Sequence, residues 1–265
     1  MSRSILPLLL VAVLSSGCAR SDSDMATLQD ASSVLAAMKS TYDGEWYETL
    51  TFVQTTIQFD PTGGVDTTSW FEGIQIPGKL RIDIGSPTSG NTMIFREDSI
   101  YVFRDGQLAN AAPTVHPLLL LGFDVYGMPT DEARAKLDSL GFDLERMHVA
   151  SWQDRTAYVI GTDVEGDLDT SQFWIDAERL VFVRLLQGVG RDASVQQEIL
   201  FNDYQPLGGG WIAPEVRFYA DSTITLIERY HSIEIGTEFG DGYFEPRSFL
   251  DADHWFDEEL LETER

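Results

Sequence analysis

The amino-acid sequence predicts a mainly β protein with helices, built as an antiparallel sandwich or barrel behind an N-terminal export signal. Segments of alternating apolar and polar residues recur along the chain, separated by turn clusters such as DPTGG at 60–64, VEGDLD at 164–169 and PLGGG at 206–210. Helical spacing replaces this alternation at the start of the chain and again in its middle. Beyond the signal enough chain remains for one large β domain or two small ones.

The first elements concern export. Arg3 supplies a positive region, residues 5–14 an apolar run, and Ser15, Ser16 and Gly17 the small residues of a cleavage site. A run of about ten residues is half of what a spanning helix needs, so 1–17 reads as a signal peptide. The single cysteine, Cys18, follows directly, and the stretch resembles a bacterial lipobox, although Leu14 stands four positions before Cys18 rather than three. That resemblance implies lipid attachment at Cys18, with 18–23 as the linker of the anchor; the alternative is ordinary secretion. With one cysteine no disulfide forms within the chain, and stability must come from burial and hydrogen bonding.

The domain is placed at 24–249. Met25, Leu28, Leu35, Met38 and Tyr42 recur at helical spacing over 24–42, with Ser23 or Asp24 as N-cap and Asp43-Gly44 as the stop. A long hairpin follows, 45–59 paired with 65–76, the return strand carrying Trp70, Ile74 and Ile76. In PGKLRIDIG, 77–85, Leu80, Ile82 and Ile84 fall on one face and Lys79, Arg81 and Asp83 on the other, the pattern of a sheet with one wet face. Strands at 91–97 and 99–106 bring the count to about five.

Residues 116–143 then form a helical insertion in two pieces, about 117–125 and 130–140. Seven further strands follow, at 146–152, 155–163, 170–178, 180–187, 194–205, 211–220 and 222–236. Residues 250–265 read as an acidic tail with a frayed helix over 256–261.

Charge excludes one class of function. With 43 acidic against 18 basic residues the net charge is −25, and such a surface repels phosphate. Nucleic acid is not a partner, because that affinity rests on Lys and Arg neutralising the backbone. An anionic globule also avoids an anionic leaflet, which makes a covalent tether useful. The chain lacks G-x-S-x-G, H-E-x-x-H and P-loop motifs, and His116, His148, His231 and His254 share no ligand spacing. The acidic clusters at 163–169 and 251–254 read as a hairpin turn and part of the tail, not as metal sites. No catalytic residue, metal or cofactor is expected, and the chain is not read as an enzyme.

The order of helix, long hairpin, PGKLRIDI, YVFRDG, helical insertion, FWIDAERLVFVRLLQ and DYQPLGGGWIAPEVRFY resembles the outer-membrane lipoprotein-sorting family of LolA and LolB. Its elements stand here at Pro77 to Arg81, at Phe173 to Asp176 with Arg179, and at Trp211 to Pro214, within 24–245. The resemblance implies an incomplete antiparallel β-barrel of about 11–12 strands around an apolar cavity, with an N-terminal helix and a helical lid. It implies a membrane-tethered periplasmic carrier or receptor for the acyl chains of lipids or lipoproteins. Acylation at Cys18 would forbid shuttling and points to the anchored, receptor end of such a system. Ala19 and Arg20 lack the aspartate that retains lipoproteins at the inner membrane, which leans toward the outer membrane facing the periplasm. The alternative is an envelope sensory or protein-interaction module of the same fold, with a protein partner in place of lipid.

The segment PLLLLGF at 117–123 is more hydrophobic than a surface helix requires, so it either lines a groove or completes a solid core. The expected hydrophobic ligand-binding set is Trp70, Ile74, Leu80, Ile82, Ile84, Leu118, Leu119, Leu120, Leu121 and Phe123. Arg81 matches a position from which the family latches its lid, but simple alternation places it opposite Leu80 and Ile82, facing water.

Overall fold

The computed structural model describes residues 28–190 and 194–257. The export signal, Cys18, the linker and most of the helix expected at 256–261 lie outside the described residues. Helix α1 spans Ala31–Thr41 and so begins later than the expected start near residue 24. Its start is set by Asp30, whose carboxylate accepts from the Ser33 N–H (2.7 Å) while Ser33 Oγ accepts from the Asp30 N–H (3.3 Å). The helix buries Ala31, Val34, Leu35 and Met38.

Six strands follow: β1 Thr49–Phe59, β2 Val65–Gln75, β3 Lys79–Ile84, β4 Thr92–Arg96, β5 Ser99–Arg104 and β6 Gln107–Pro113. The last was not expected. QLANAAP has no alternating large residues because it is an exposed edge strand with little to bury. The insertion holds α2 Pro117–Leu119, a π-helical turn Leu120–Asp124, α3 Val125–Gly127 and α4 Thr130–Ser139. Nine strands complete the fold: β7 Met147–Trp152, β8 Arg155–Ile160, β9 Gln172–Asp176, β10 Phe182–Val189, β11 Val195–Asn202, β12 Gln205–Leu207, β13 Gly210–Ile212, β14 Glu215–Ala220 and β15 Thr223–Ile235. The stretch 211–220 splits at Pro214, which has no N–H to continue a ladder.

Thirteen strands form one open antiparallel sheet in the order β6-β5-β4-β3-β2-β1-β15-β14-β11-β10-β9-β8-β7, and β12 pairs with β13 apart from it. The final strand lies beside the first, so the sheet edges are β6 and β7. These are the two strands that the helical insertion joins, which lays the helices across one face, here called inner. A cap within the insertion sets its first turn, and two contacts to the sheet pin it there. His116 Nδ1 accepts from the Leu119 N–H (3.1 Å), and burial pushes its imidazole down to about 4. Asp124 accepts from the Gly78 N–H (2.8 Å), and burial pushes its carboxyl up to about 7. Tyr126 donates to the Leu180 carbonyl (3.2 Å) and stacks on Trp46, ring centres 3.6 Å apart.

The outer face of β2–β5 is not wet, which corrects the expectation for Arg81 and Asp83. Arg81 is 2% exposed and Asp83 not at all. Residues 237–257, part of which read as an acidic tail, run across this face. The Arg81 guanidinium pairs with Asp83 (Nε–Oδ2 2.8 Å) and donates to the carbonyls of Tyr243 (3.3 Å) and Phe249 (3.1 Å). Asp83 also accepts from Thr92 Oγ1 (2.6 Å) and lies 3.0 Å from His254 Nε2. A Cβ at Gly73 would come within 2.8 Å of the Tyr243 hydroxyl, so the close approach of this strap requires glycine on β2. Arg81 is thus a latch, but it holds the C-terminal strap on the outer face and makes these bonds away from the helical insertion. Its burial has a simple reason: alternation assigns residues to faces, and sequence distant by about 160 positions supplies the cover.

Candidate functional site: a groove above a buried acid pair

The register of the central strands decides which side chains share the inner face. Leu50 and Phe52 of β1 belong to the main core, so Gln54 and Thr56 continue the same face. Across β2 the partners of Phe52 and Gln54 are Glu72 and Trp70. Across β15 the partners of Gln54 and Thr56 are Tyr230 and Glu228. The middle of an otherwise apolar inner face therefore carries two carboxyl groups, one on each side of β1, with Gln54 between them.

Above this group a groove of about 810 Å³ opens beside the β1–β2 hairpin tip. Phe59 and Val65 come from the hairpin, Trp70 from β2, Phe218 from β14, and Leu226 and Glu228 from β15. Its walls are mixed: these aromatic and aliphatic side chains share the lining with Gln58, Asp60, Asp66 and Gln197 nearer the hairpin tip and rim, and Glu228 is where the groove meets the polar group beneath. Val65, at the hairpin, is 63% exposed, an apolar side chain left open to solvent.

The electrostatics of the floor are unusual. Burial, and secondarily the charge of Glu228, raises the Glu72 carboxyl well above the ordinary range. Burial also pushes Glu228 up to about 7, although hydrogen bonds from Tyr230 and Gln54 favour its ionised form. Tyr230 donates to Glu228 Oε2 (3.0 Å) and stacks on Phe52, ring centres 4.1 Å apart. Gln54 gives its amide N–H to Thr56 Oγ1 (2.7 Å), while its Oε1, fully buried, has no donor. Among the described residues no ion pair involves Glu72 or Glu228.

Of the expected ligand-binding set, the structure places Trp70 in the groove. Ile74, Leu80, Ile82, Leu119, Leu120, Leu121 and Phe123 are buried in the main core, and Ile84 and Leu118 are half-buried against it. Next to Leu119 and Leu120 lies a pocket of about 20 Å³, room for about one water molecule. The leucine-rich segment thus fills the inner face at one end and leaves the large open space at the other. Sequence reasoning missed Gln54, Glu72 and Glu228. A signal was present, since each stands in phase with apolar neighbours: Gln54 with Leu50 and Phe52, Glu72 with Trp70 and Ile74, Glu228 with Leu226 and Tyr230.

No protein-family model matches the chain, and no curated protein matches it. Solved structures do. A DUF1329 family protein from Desulfovibrio piger shares 12% identity over 81% of this chain and 95% of its own, with a TM-score of 0.54. A LolA superfamily protein from Nitrosomonas europaea shares 11% identity over 82% of this chain and 98% of its own, TM-score 0.51. A protein domain from Vibrio parahaemolyticus, described as outer-membrane lipoprotein-sorting, shares 11% identity over 83% of this chain and 97% of its own, TM-score 0.56. At such identities the likeness concerns architecture, and the conclusion is that this chain has the LolA-like fold, a large antiparallel sheet left open around its helices.

Proposed function

We propose that the protein is a carrier or receptor of the cell envelope that shields acyl chains of lipids or lipoproteins in the groove beside Trp70, tethered to the outer membrane through Cys18 and facing the periplasm. The observation that carries this reading is the groove itself. Its volume, about 810 Å³, lies within the 300–1,000 Å³ of typical ligand sites, and its walls of Phe59, Trp70, Phe218 and Leu226 suit hydrocarbon. Burial of each methylene contributes about 0.8 kcal/mol, so eight buried carbons supply several kcal/mol before ordering costs. Such binding depends on chain length more than on chain identity, as a carrier of varied lipids requires. The remaining expected residues fill the other end of the inner face, and an acyl chain held beside Trp70 does not displace them.

Native mass spectrometry of the protein from Ser21 onward, exported behind a cleavable signal without a cysteine and isolated from the periplasm, tests this reading. The expected result is a population carrying adducts with the mass of acyl lipids, displaced by added single-chain lipid. A spectrum of bare protein that stays bare when single-chain lipid is added would contradict it.

A further inference from the structure

We infer that Glu228, at the inner end of the groove, together with Glu72 and the free Oε1 of Gln54 buried beneath it, binds the primary ammonium head of an amphiphile whose apolar tail lies along Trp70 and Phe218. The inference rests on the groove reading and adds the chemical class of the head group. Three side chains from three adjacent strands converge here: Glu72 from β2, Gln54 from β1 and Glu228 from β15. With both carboxyls ionised, their free positions are all acceptors. Gln54 Oε1 is fully buried without a donor, although a buried amide oxygen in a folded protein nearly always has one. Tyr230, the remaining titratable group on this face of β15, already spends its hydroxyl proton on Glu228. The side chains that β3 and β14 turn to this face, Ile82, Ile84, Val216 and Phe218, are apolar.

An ammonium group answers each of these features. It brings three N–H donors and a positive charge to a place with two carboxyls and one orphaned acceptor. A carboxylate ionised in a buried place without a counter-charge is costly, and a bound cation compensates it. An alkyl carboxylate head would add a third acid to the pair, and an alcohol would satisfy one acceptor at most. The burial of the two acids means that part of the site is protonated when empty. An entering ammonium favours the ionised carboxyls, so protons leave to solvent as it binds, while the ammonium itself, with an ordinary pKa near 10, stays charged.

The test compares dodecylamine, dodecanol and dodecanoate, each below its micelle concentration, binding to the protein from Ser21 onward, which keeps every described residue. The expected result is that dodecylamine binds at least tenfold more tightly than dodecanol, with dodecanoate weakest. Its affinity should rise at least tenfold from pH 6 to pH 8, with proton release seen by calorimetry in buffers of different ionisation enthalpy. Glu228→Gln and Glu72→Gln should each abolish most of the amine preference while leaving dodecanol binding within about threefold. Glu165→Gln, which removes one charge from an exposed turn, should leave the preference intact. Equal binding of the three amphiphiles, or an amine preference that survives both glutamine variants, overturns the head-group inference alone. Failure of all three to bind overturns the groove reading as well.

Discussion

Arg81→Met should destabilise the folded protein by about 3–5 kcal/mol, the range for removing one partner of a buried ion pair. The variant leaves Asp83, which has no exposed surface, beside only Thr92 and His254. It also removes the donors that hold the carbonyls of Tyr243 and Phe249, and the cation that lies 4.5 Å from the Tyr243 ring centre. The strap of residues 237–257 then loses its central attachment, and the outer faces of β3 and β4 lose their cover. Urea unfolding measures the effect. Arg146→Ala is the comparison, because Arg146 is 55% exposed and pairs with exposed Asp143 and Asp163, a setting worth about 1 kcal/mol or less. Losses of similar size in the two variants would contradict the docked strap.

The second large effect concerns the acids under the groove. Glu228 is raised from its ordinary 4.5 to about 7 in the folded protein. A carboxyl with a raised folded pKa contributes stability that is fully present below pH 4.5 and is lost as the pH rises through about 7. Each pKa unit corresponds to about 1.4 kcal/mol, so the cost of ionising this group in place approaches about 3 kcal/mol above pH 8. Glu228→Gln keeps an acceptor for Tyr230 and removes the ionisation. Its stability relative to the natural protein should be near zero at pH 4 and reach about 2–3 kcal/mol in its favour at pH 8, by urea unfolding at each pH. A difference independent of pH would show that Glu228 is ionised in the folded state at no cost. Two acids held against their ordinary ionisation cost the protein stability, and strain of this kind is found more often at functional sites than elsewhere.

Much of the architecture was legible because alternation and turn chemistry are local. The hairpin at DPTGG, the strands 79–84, 92–96 and 99–104, and the helical break after His116 all follow from residues within a few positions of one another. The parts that were not legible depend on distant cover. Arg81 alternates with Leu80 and Ile82 and so lies opposite them, yet whether that side meets water or the strap is decided by Tyr243 and Phe249. Leu119–Leu121 were visible as a buried segment, but apolar composition does not distinguish the wall of a cavity from the filling of a core. β6 carried no periodic signal because Ala and Asn at an edge bury little.

The candidate site was hidden for a related reason. Among 43 acidic residues, Glu72 and Glu228 are singled out only by register, which brings them to either side of Gln54 across β1. Each breaks the rule of its own strand by placing a polar group in phase with apolar neighbours. Trp70 was legible as an inner-face aromatic because of its strand phase and its size, and the structure lines the groove with it. The acid pair beneath the groove needed the pairing of three strands to be known.

The central claim is that hydrocarbon lies against Trp70 in the groove. Fluorescence quenching by a single-chain lipid brominated in the middle of its acyl chain measures this contact directly, because bromine quenches an indole only at close range. The account predicts quenching beyond that of the unbrominated lipid, with most of the excess lost in Trp70→Phe while the other five tryptophans remain. Excess quenching that persists undiminished in Trp70→Phe, or no excess at saturating lipid, would contradict it.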